Sequence, residues 1–157
     1  MPHCVVLYTG QLDREADMGA LCRQLADAML AVRDDDGRAL FPPGGTRVLA
    51  YPAAHWAVGD GGAAGIAAGR FDSHPAGSGD YAFAYIQLRM GRGRSEATQQ
   101  RAGQALHAAA QAFFEPLIAQ RPLGVTVQVD VGGEVFDAKI SNLHPLFAAA
   151  AATQGRP

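Results

Sequence analysis

One pattern occurs twice in this chain: a strand, then an amphipathic helix, then another strand. The copies start at Pro2 and Tyr81, about 80 residues apart, and no other feature limits the fold as much. The first copy opens with Pro2 to Thr9, rich in β-branched and aromatic residues and closed by Gly10, which reads as a buried strand. Asp13 is expected to cap a helix, with Glu15 and Asp17 near its positive end. Met18, Leu21, Leu25, Met29 and Val32 then recur at three- and four-residue steps, the stripe of a helix lying on a sheet. Asp34-Asp35-Asp36-Gly37 is the expected stop, because acids repel at a helix C-terminus and glycine frees the backbone. Phe41 to Gly45 reads as a loop and Arg47 to Tyr51 as a short strand.

The second copy alternates cleanly. Tyr81, Phe83, Tyr85, Gln87 and Arg89 fall on one face, and Ala82, Ala84, Ile86, Leu88 and Met90 on the other. Gly91-Arg92-Gly93-Arg94 is a tight turn, and Ser95 caps a long helix with Glu96 in its first turn. The apolar side of that helix carries Leu106, Ala110, Phe113, Phe114, Leu117 and Ile118. Pro122 breaks away, Leu123 to Val131 forms a strand, and Gly132-Gly133 allows a hairpin turn. Asn142 to Ala152 reads as a short helix. Between the copies, Gly59 to Gly79 turns to glycine, alanine, serine and proline, and is expected to be an inserted loop over about 60–79.

The expected architecture is a single α+β domain over 1–157. Two β-α-β halves, about 2–58 and 80–132, build one four-stranded mixed sheet with both helices on the same face. Residues 133–152 add a C-terminal hairpin and short helix. The repeat rests on pattern, since identity between the halves is low. The second sheet face then needs a cover, and a neighbouring subunit is expected to supply it.

Composition narrows the function classes. A chain that is 48% apolar and 18% charged fills a core and is not disordered. A net charge of −2 without a basic stripe argues against nucleic-acid binding. Cys4 and Cys22 form neither a disulfide framework nor a metal-ligand spacing. No apolar run reaches the roughly 18–20 residues of a membrane span, and the first residues lack a basic leader. The expectation is a cytoplasmic protein with no membrane or nucleic-acid partner.

Pro2 is the first residue that can carry chemistry. A methionine before a small residue is usually excised, which would leave proline's secondary amine at the terminus. A terminal amine titrates near ~8, and burial or a nearby cation lowers that value. In an apolar pocket beside an arginine it can shuttle protons at neutral pH. Proline in second place is common, though, and on its own carries no functional meaning. Arg94 follows a glycine turn and precedes a helix start, where free N–H groups favour anions and a guanidinium adds a two-pronged carboxylate clamp. Arg92 is an equal claimant by position, and Arg47 a third.

Other signals are weak. Gly91-x-Gly93 lacks the rest of a dinucleotide fingerprint. Asp34, Asp35 and Asp36 read as solvated loop acids. His3, His55, His74, His107 and His144 have no metal spacing. His3 is expected in the core or on a pocket wall, and Cys4 as a small buried apolar group. No Ser/His/Asp constellation stands out.

Taken in order, several short stretches form a recognisable set. They are Pro2-His3; Arg14-Glu15-Ala16-Asp17; Phe41-Pro42 with Gly45-Thr46-Arg47; Trp56 with Asp60-Gly61; and Asp80-Tyr81-Ala82-Phe83. Gly91-Arg92-Gly93-Arg94-Ser95, Gln99-Gln100 with Ala102-Gly103, and Asn142-Leu143-His144-Pro145-Leu146-Phe147 complete it. In this the chain resembles the 5-carboxymethyl-2-hydroxymuconate isomerase family, of the tautomerase superfamily that uses an amino-terminal proline. The resemblance implies a homotrimer of duplicated β-α-β units, no cofactor and no metal. It implies a small carboxylate substrate whose dienol is ketonised by Pro2, with Arg94 and Arg47 holding carboxylates. Arg92, Trp56, Phe41 and Tyr81 are further substrate-pocket candidates, the aromatic three being equally plausible as core.

The family passes quickly from Asp60-Gly61 to Asp80-Tyr81; here residues 62–79 intervene, Arg70, Asp72 and His74 among them. Two alternatives stay open. One is another proline-dependent reaction on a small unsaturated acid: hydration, dehalogenation or decarboxylation. The other is a trimeric binding protein without turnover.

Overall fold

The computed structural model describes residues 2–67 and 81–133. Residues 133–152, with the expected hairpin and short helix, lie almost wholly outside that range, as do Arg70, Asp72, His74 and His144.

Four strands form one sheet: β1 (His3–Thr9), β2 (Val48–Ala53), β3 (Ala82–Gly91) and β4 (Leu123–Gly132), in the order β2-β1-β3-β4. β1 runs parallel to β2, and β3 parallel to β4. The two halves meet where β1 and β3 pair antiparallel, with His3 opposite Arg89 and Tyr8 opposite Ala84. Each parallel pair is joined by a long helix, α2 (Met18–Ala31) or α4 (Glu96–Ile118), so the duplicated β-α-β reading holds. The described residues also form two short α-helices, α1 (Leu12–Glu15) and α3 (Ala63–Ala67), and a 3-10 turn at Pro43–Gly45 in the segment read as a loop.

The helices share one sheet face because the strands' alternation puts every large buried group there. Cys4, Val6 and Tyr8 of β1 and Ala82, Ala84, Ile86, Leu88 and Met90 of β3 point into the core. Leu21, Leu25 and Met29 of α2 and Leu106, Ala110 and Phe114 of α4 meet them. Each fully buried large side chain contributes about 1.5–3 kcal/mol. Ile118, expected on the apolar side of α4, is 47% exposed. It lies at the end of the helix, just beyond the last stretch that faces the sheet. On the opposite sheet face Leu7, Leu49, Tyr51 and Phe83 are each 40–50% exposed, and among the described residues no helix covers them.

Three local expectations change. Asp13 is inside α1, its carboxylate accepting the Tyr8 hydroxyl at 2.5 Å, while the cap of α2 is Asp17, which accepts the Ala20 amide at 2.9 Å. Extended backbone at Ala16 separates the two helices. The acidic run does not stop α2. Val32 is already extended, and Asp34–Gly37 instead tips a small hairpin closed by a bridge between Arg33 and Ala39. Finally, part of the segment read as an inserted loop is helical. Asp60 accepts the Gly62 and Ala64 amides and so starts α3, with its carboxyl held below the usual range by those bonds.

Candidate active site

The topology gathers most of the singled-out residues at one end of the sheet. Pro2 is buried and enters β1. Arg47 lies beside it, since its carbonyl accepts the Cys4 amide at 2.9 Å as β2 begins. Because β3 runs antiparallel to β1, its last residue, Gly91, emerges at the same end, and Arg92 and Arg94 follow directly. Arg89 lies opposite His3 in the register. It was read only as part of the alternating face, yet it belongs to the same cationic end.

The Arg92–Arg94 turn is built for a specific backbone. Gly93 has φ +93°, a region closed to most side chains, and no neighbour approaches the position a Cβ would take. Arg94 donates from Nη1 to the Gly91 carbonyl at 3.0 Å, and Gln99 donates from Nε2 to the Arg94 carbonyl at 2.9 Å. Ser95 caps α4 as expected, accepting the Thr98 amide at 3.1 Å. The Arg92 guanidinium passes the Gly133 backbone at the end of β4. Facing this turn across a cavity of about 490 Å³ is the hairpin tip with Asp34, Asp35 and Asp36. Asp35 is no free solvated acid. The Ser95 and Thr98 hydroxyls and Arg101 bond it, Arg101 most strongly, and hold its carboxyl down to about 2. Nothing in a single sequence signals that link.

A second cavity, about 210 Å³, opens on the sheet face away from the helices, among His3, Val5, Gln87, Arg89 and Asp130. His3 is therefore an exposed wall residue and not part of the core. Cys4 is fully buried, as expected, and burial pushes its thiol up to about 12, so it stays a protonated apolar filler.

The aromatic candidates lie elsewhere. Phe41 is fully buried in the helix-side core. Trp56 sits against Gly10, beyond the far end of β1. Tyr81 precedes β3 at that same far end, where its hydroxyl donates to Asp60 at 3.1 Å and accepts the Gly65 amide at 2.6 Å. From Pro2 to Gly10 the strand spans about 25 Å. Within one chain, Trp56 and Tyr81 therefore do not share a site with Pro2.

The family model described as 5-carboxymethyl-2-hydroxymuconate isomerase matches residues 2–147. The chain is 26% identical over 147 residues to the 5-carboxymethyl-2-hydroxymuconate Delta-isomerase of Escherichia coli, covering 94% of this chain and 99% of that protein. A crystal structure of a 5-carboxymethyl-2-hydroxymuconate delta-isomerase is 63% identical and superposes with a TM-score of 0.86, over 94% of this chain and 93% of its own. A 5-carboxymethyl-2-hydroxymuconate isomerase from Deinococcus radiodurans R1 is 29% identical with a TM-score of 0.70, over 93% of each chain. By the extent of the family match and the 63% identity to a solved relative, the chain belongs to the 5-carboxymethyl-2-hydroxymuconate isomerase family.

Proposed function

We propose that this chain is an isomerase that ketonises 5-carboxymethyl-2-hydroxymuconate or a close unsaturated 2-hydroxy di- or tricarboxylate, with Pro2 as the proton carrier. The observation that carries the reading is that the topology brings Pro2, Arg47, Arg92 and Arg94 to the same end of the sheet. Such a substrate is a conjugated polyanion. Moving its enol proton to carbon needs one base, one acid and compensation for several negative charges. A single amine serves both proton steps in turn: it accepts the 2-hydroxyl proton, then delivers a proton to the distal carbon on the same face. The enol O–H bond breaks, the conjugated double bonds shift, and a C–H bond forms, so the atoms balance without a cofactor.

Arg94 and Arg47 bind carboxylates in this reading and draw electron density toward them, with Arg92 in reserve beside them. The burial of Pro2 favours the uncharged amine that the base needs, and an arginine near it in the assembled site would favour it further. Removal of Met1 is part of the proposal, because an acylated proline nitrogen has no basic lone pair.

The chain works as one domain of two β-α-β halves that assembles as a homotrimer. The exposed apolar groups Leu7, Leu49, Tyr51 and Phe83 on one sheet face support a subunit as its cover. Trp56 and Tyr81 then reach a pocket only from a neighbouring copy. Ultraviolet absorbance of the dienol tests the activity: the mature chain should ketonise it well above the buffer rate, and Pro2→Ala should lose most of that rate. No rate above buffer from protein shown to lack Met1 would overturn the proposal.

A further inference from the structure

Gly93 adopts a positive φ with open space around it, so the position of Arg94 depends on ties to its neighbours. Two of these are its own bond to the Gly91 carbonyl and the Gln99 amide on its backbone carbonyl. The third comes from the opposite side of the cavity.

Asp35, at the tip of the hairpin after α2, accepts the hydroxyl of Ser95, the residue next to Arg94, at 2.5 Å on Oδ2. Its Oδ1 accepts the Thr98 hydroxyl at 3.1 Å and Arg101 Nη2 at 2.6 Å. Arg101 Nη2 also donates to the Thr98 hydroxyl oxygen at 2.7 Å, and its Nε donates to the Arg33 carbonyl at 3.3 Å. One carboxylate therefore grips the start of α4 at several points and ties it to the first half of the chain.

The arrangement also answers an electrostatic problem. Three acids face a turn that is to receive an anion. Asp34 turns its carboxylate to the Asp36 and Arg38 amides, Asp36 pairs with Arg38 at 3.0 Å, and Asp35 is neutralised by Arg101.

We propose that Asp35 is a positioning residue, which acts through Ser95 to hold Arg94 where it receives a substrate carboxylate, with Arg101 cancelling the charge that would otherwise repel that carboxylate. The inference rests on the reading of Arg94 as a carboxylate contact. It makes the hairpin after α2, with no reacting group of its own, a determinant of substrate affinity.

Steady-state kinetics on the full chain with 5-carboxymethyl-2-hydroxymuconate tests this in two backgrounds. Asp35→Ala should raise KM about fivefold or more with kcat within about twofold, and Asp35→Asn, which keeps one acceptor, should recover part of the loss. Asp27→Ala, which removes an exposed acid of α2 paired with Arg23 and outside the cavity, should leave both parameters unchanged. In an Arg94→Ala background, adding Asp35→Ala should cost less than about twofold more, because the residue it positions is gone. Equal losses in both backgrounds would overturn the inference. So would an unchanged KM in Asp35→Ala while Arg94→Ala alone is impaired. If Arg94→Ala alone is as active as the parent, the reading of Arg94 falls, and the inference falls with it.

Discussion

Replacing Arg94 by alanine should lower kcat/KM by about 10–30-fold. The guanidinium has five N–H donors, and among the described residues only Nη1 is engaged, on the Gly91 carbonyl at 3.0 Å. The rest of the fork is available to a carboxylate. A charge-assisted bond contributes about 1.5–3 kcal/mol, and the partial exposure of Arg94 puts it in the lower half of that range, about 1.5–2 kcal/mol. At about 1.4 kcal/mol per decade this gives the stated loss. Arg94→Lys keeps the charge without the planar fork and should fall between. Losing the bond to Gly91 costs about 1 kcal/mol of stability, or about 2–4 °C in Tm, so an assay at 25 °C reads chemistry and not unfolding. The assay follows the loss of dienol absorbance at several substrate concentrations. A kcat/KM within about twofold of the parent would refute the argument. If Arg92→Ala then carried the loss, the clamp would be Arg92.

Other expectations follow from single contacts. Arg121 is only 7% exposed and sits 2.5 Å from Glu15, joining the end of α4 to α1; Arg121→Met leaves the Glu15 carboxylate without this partner and should cost about 3 kcal/mol, seen as a Tm lower by about 6–12 °C. An unchanged melt would mean that the pair adds nothing. Burial, together with the bond to Asp13, raises the Tyr8 phenol to about 12 from its ordinary value of 10.0. The fold therefore favours the neutral phenol. That stabilisation is complete below pH 10 and is lost as pH rises toward 12, so a urea midpoint followed through that window should fall less in Tyr8→Phe than in the parent. Gly93→Ala places a Cβ on a positive φ and should raise KM while lowering Tm by only a few degrees, about 1 kcal/mol. An unchanged KM would show that the turn's backbone does not matter to binding.

The fold was legible where burial writes itself into spacing. The alternation from Tyr81 to Met90 and the steps from Leu21 to Met29 each state which face meets the core, and the sheet obeys them. The features that escaped depend on partners distant in sequence or on composition that says little. Asp13 read as the cap and Asp17 only as an acid near the helix start, and the Tyr8 hydroxyl on one and the Ala20 amide on the other, brought close by the fold, assign their roles. α3 is built of alanine and glycine with one isoleucine, too little apolar pattern to mark a helix. Asp35 resembled its neighbours until the fold brought Ser95, Thr98 and Arg101 to it. Around the proposed site, Pro2 and the arginines stood out in the sequence, and the antiparallel pairing of β1 with β3 is the reason they lie at one end of the sheet. Placing Trp56 and Tyr81 needed the strand direction as well, because both sit where β1 ends and β3 begins.

The central claim is a free, uncharged proline nitrogen at the start of β1. A titration of the Pro2 nitrogen resonance in ¹⁵N-proline-labelled mature chain measures it directly. The account predicts an amine that titrates below the ordinary terminal value of about 8. A nitrogen that shows no titration, as an amide behind a retained Met1 would, or one that titrates at or above about 8, would contradict it.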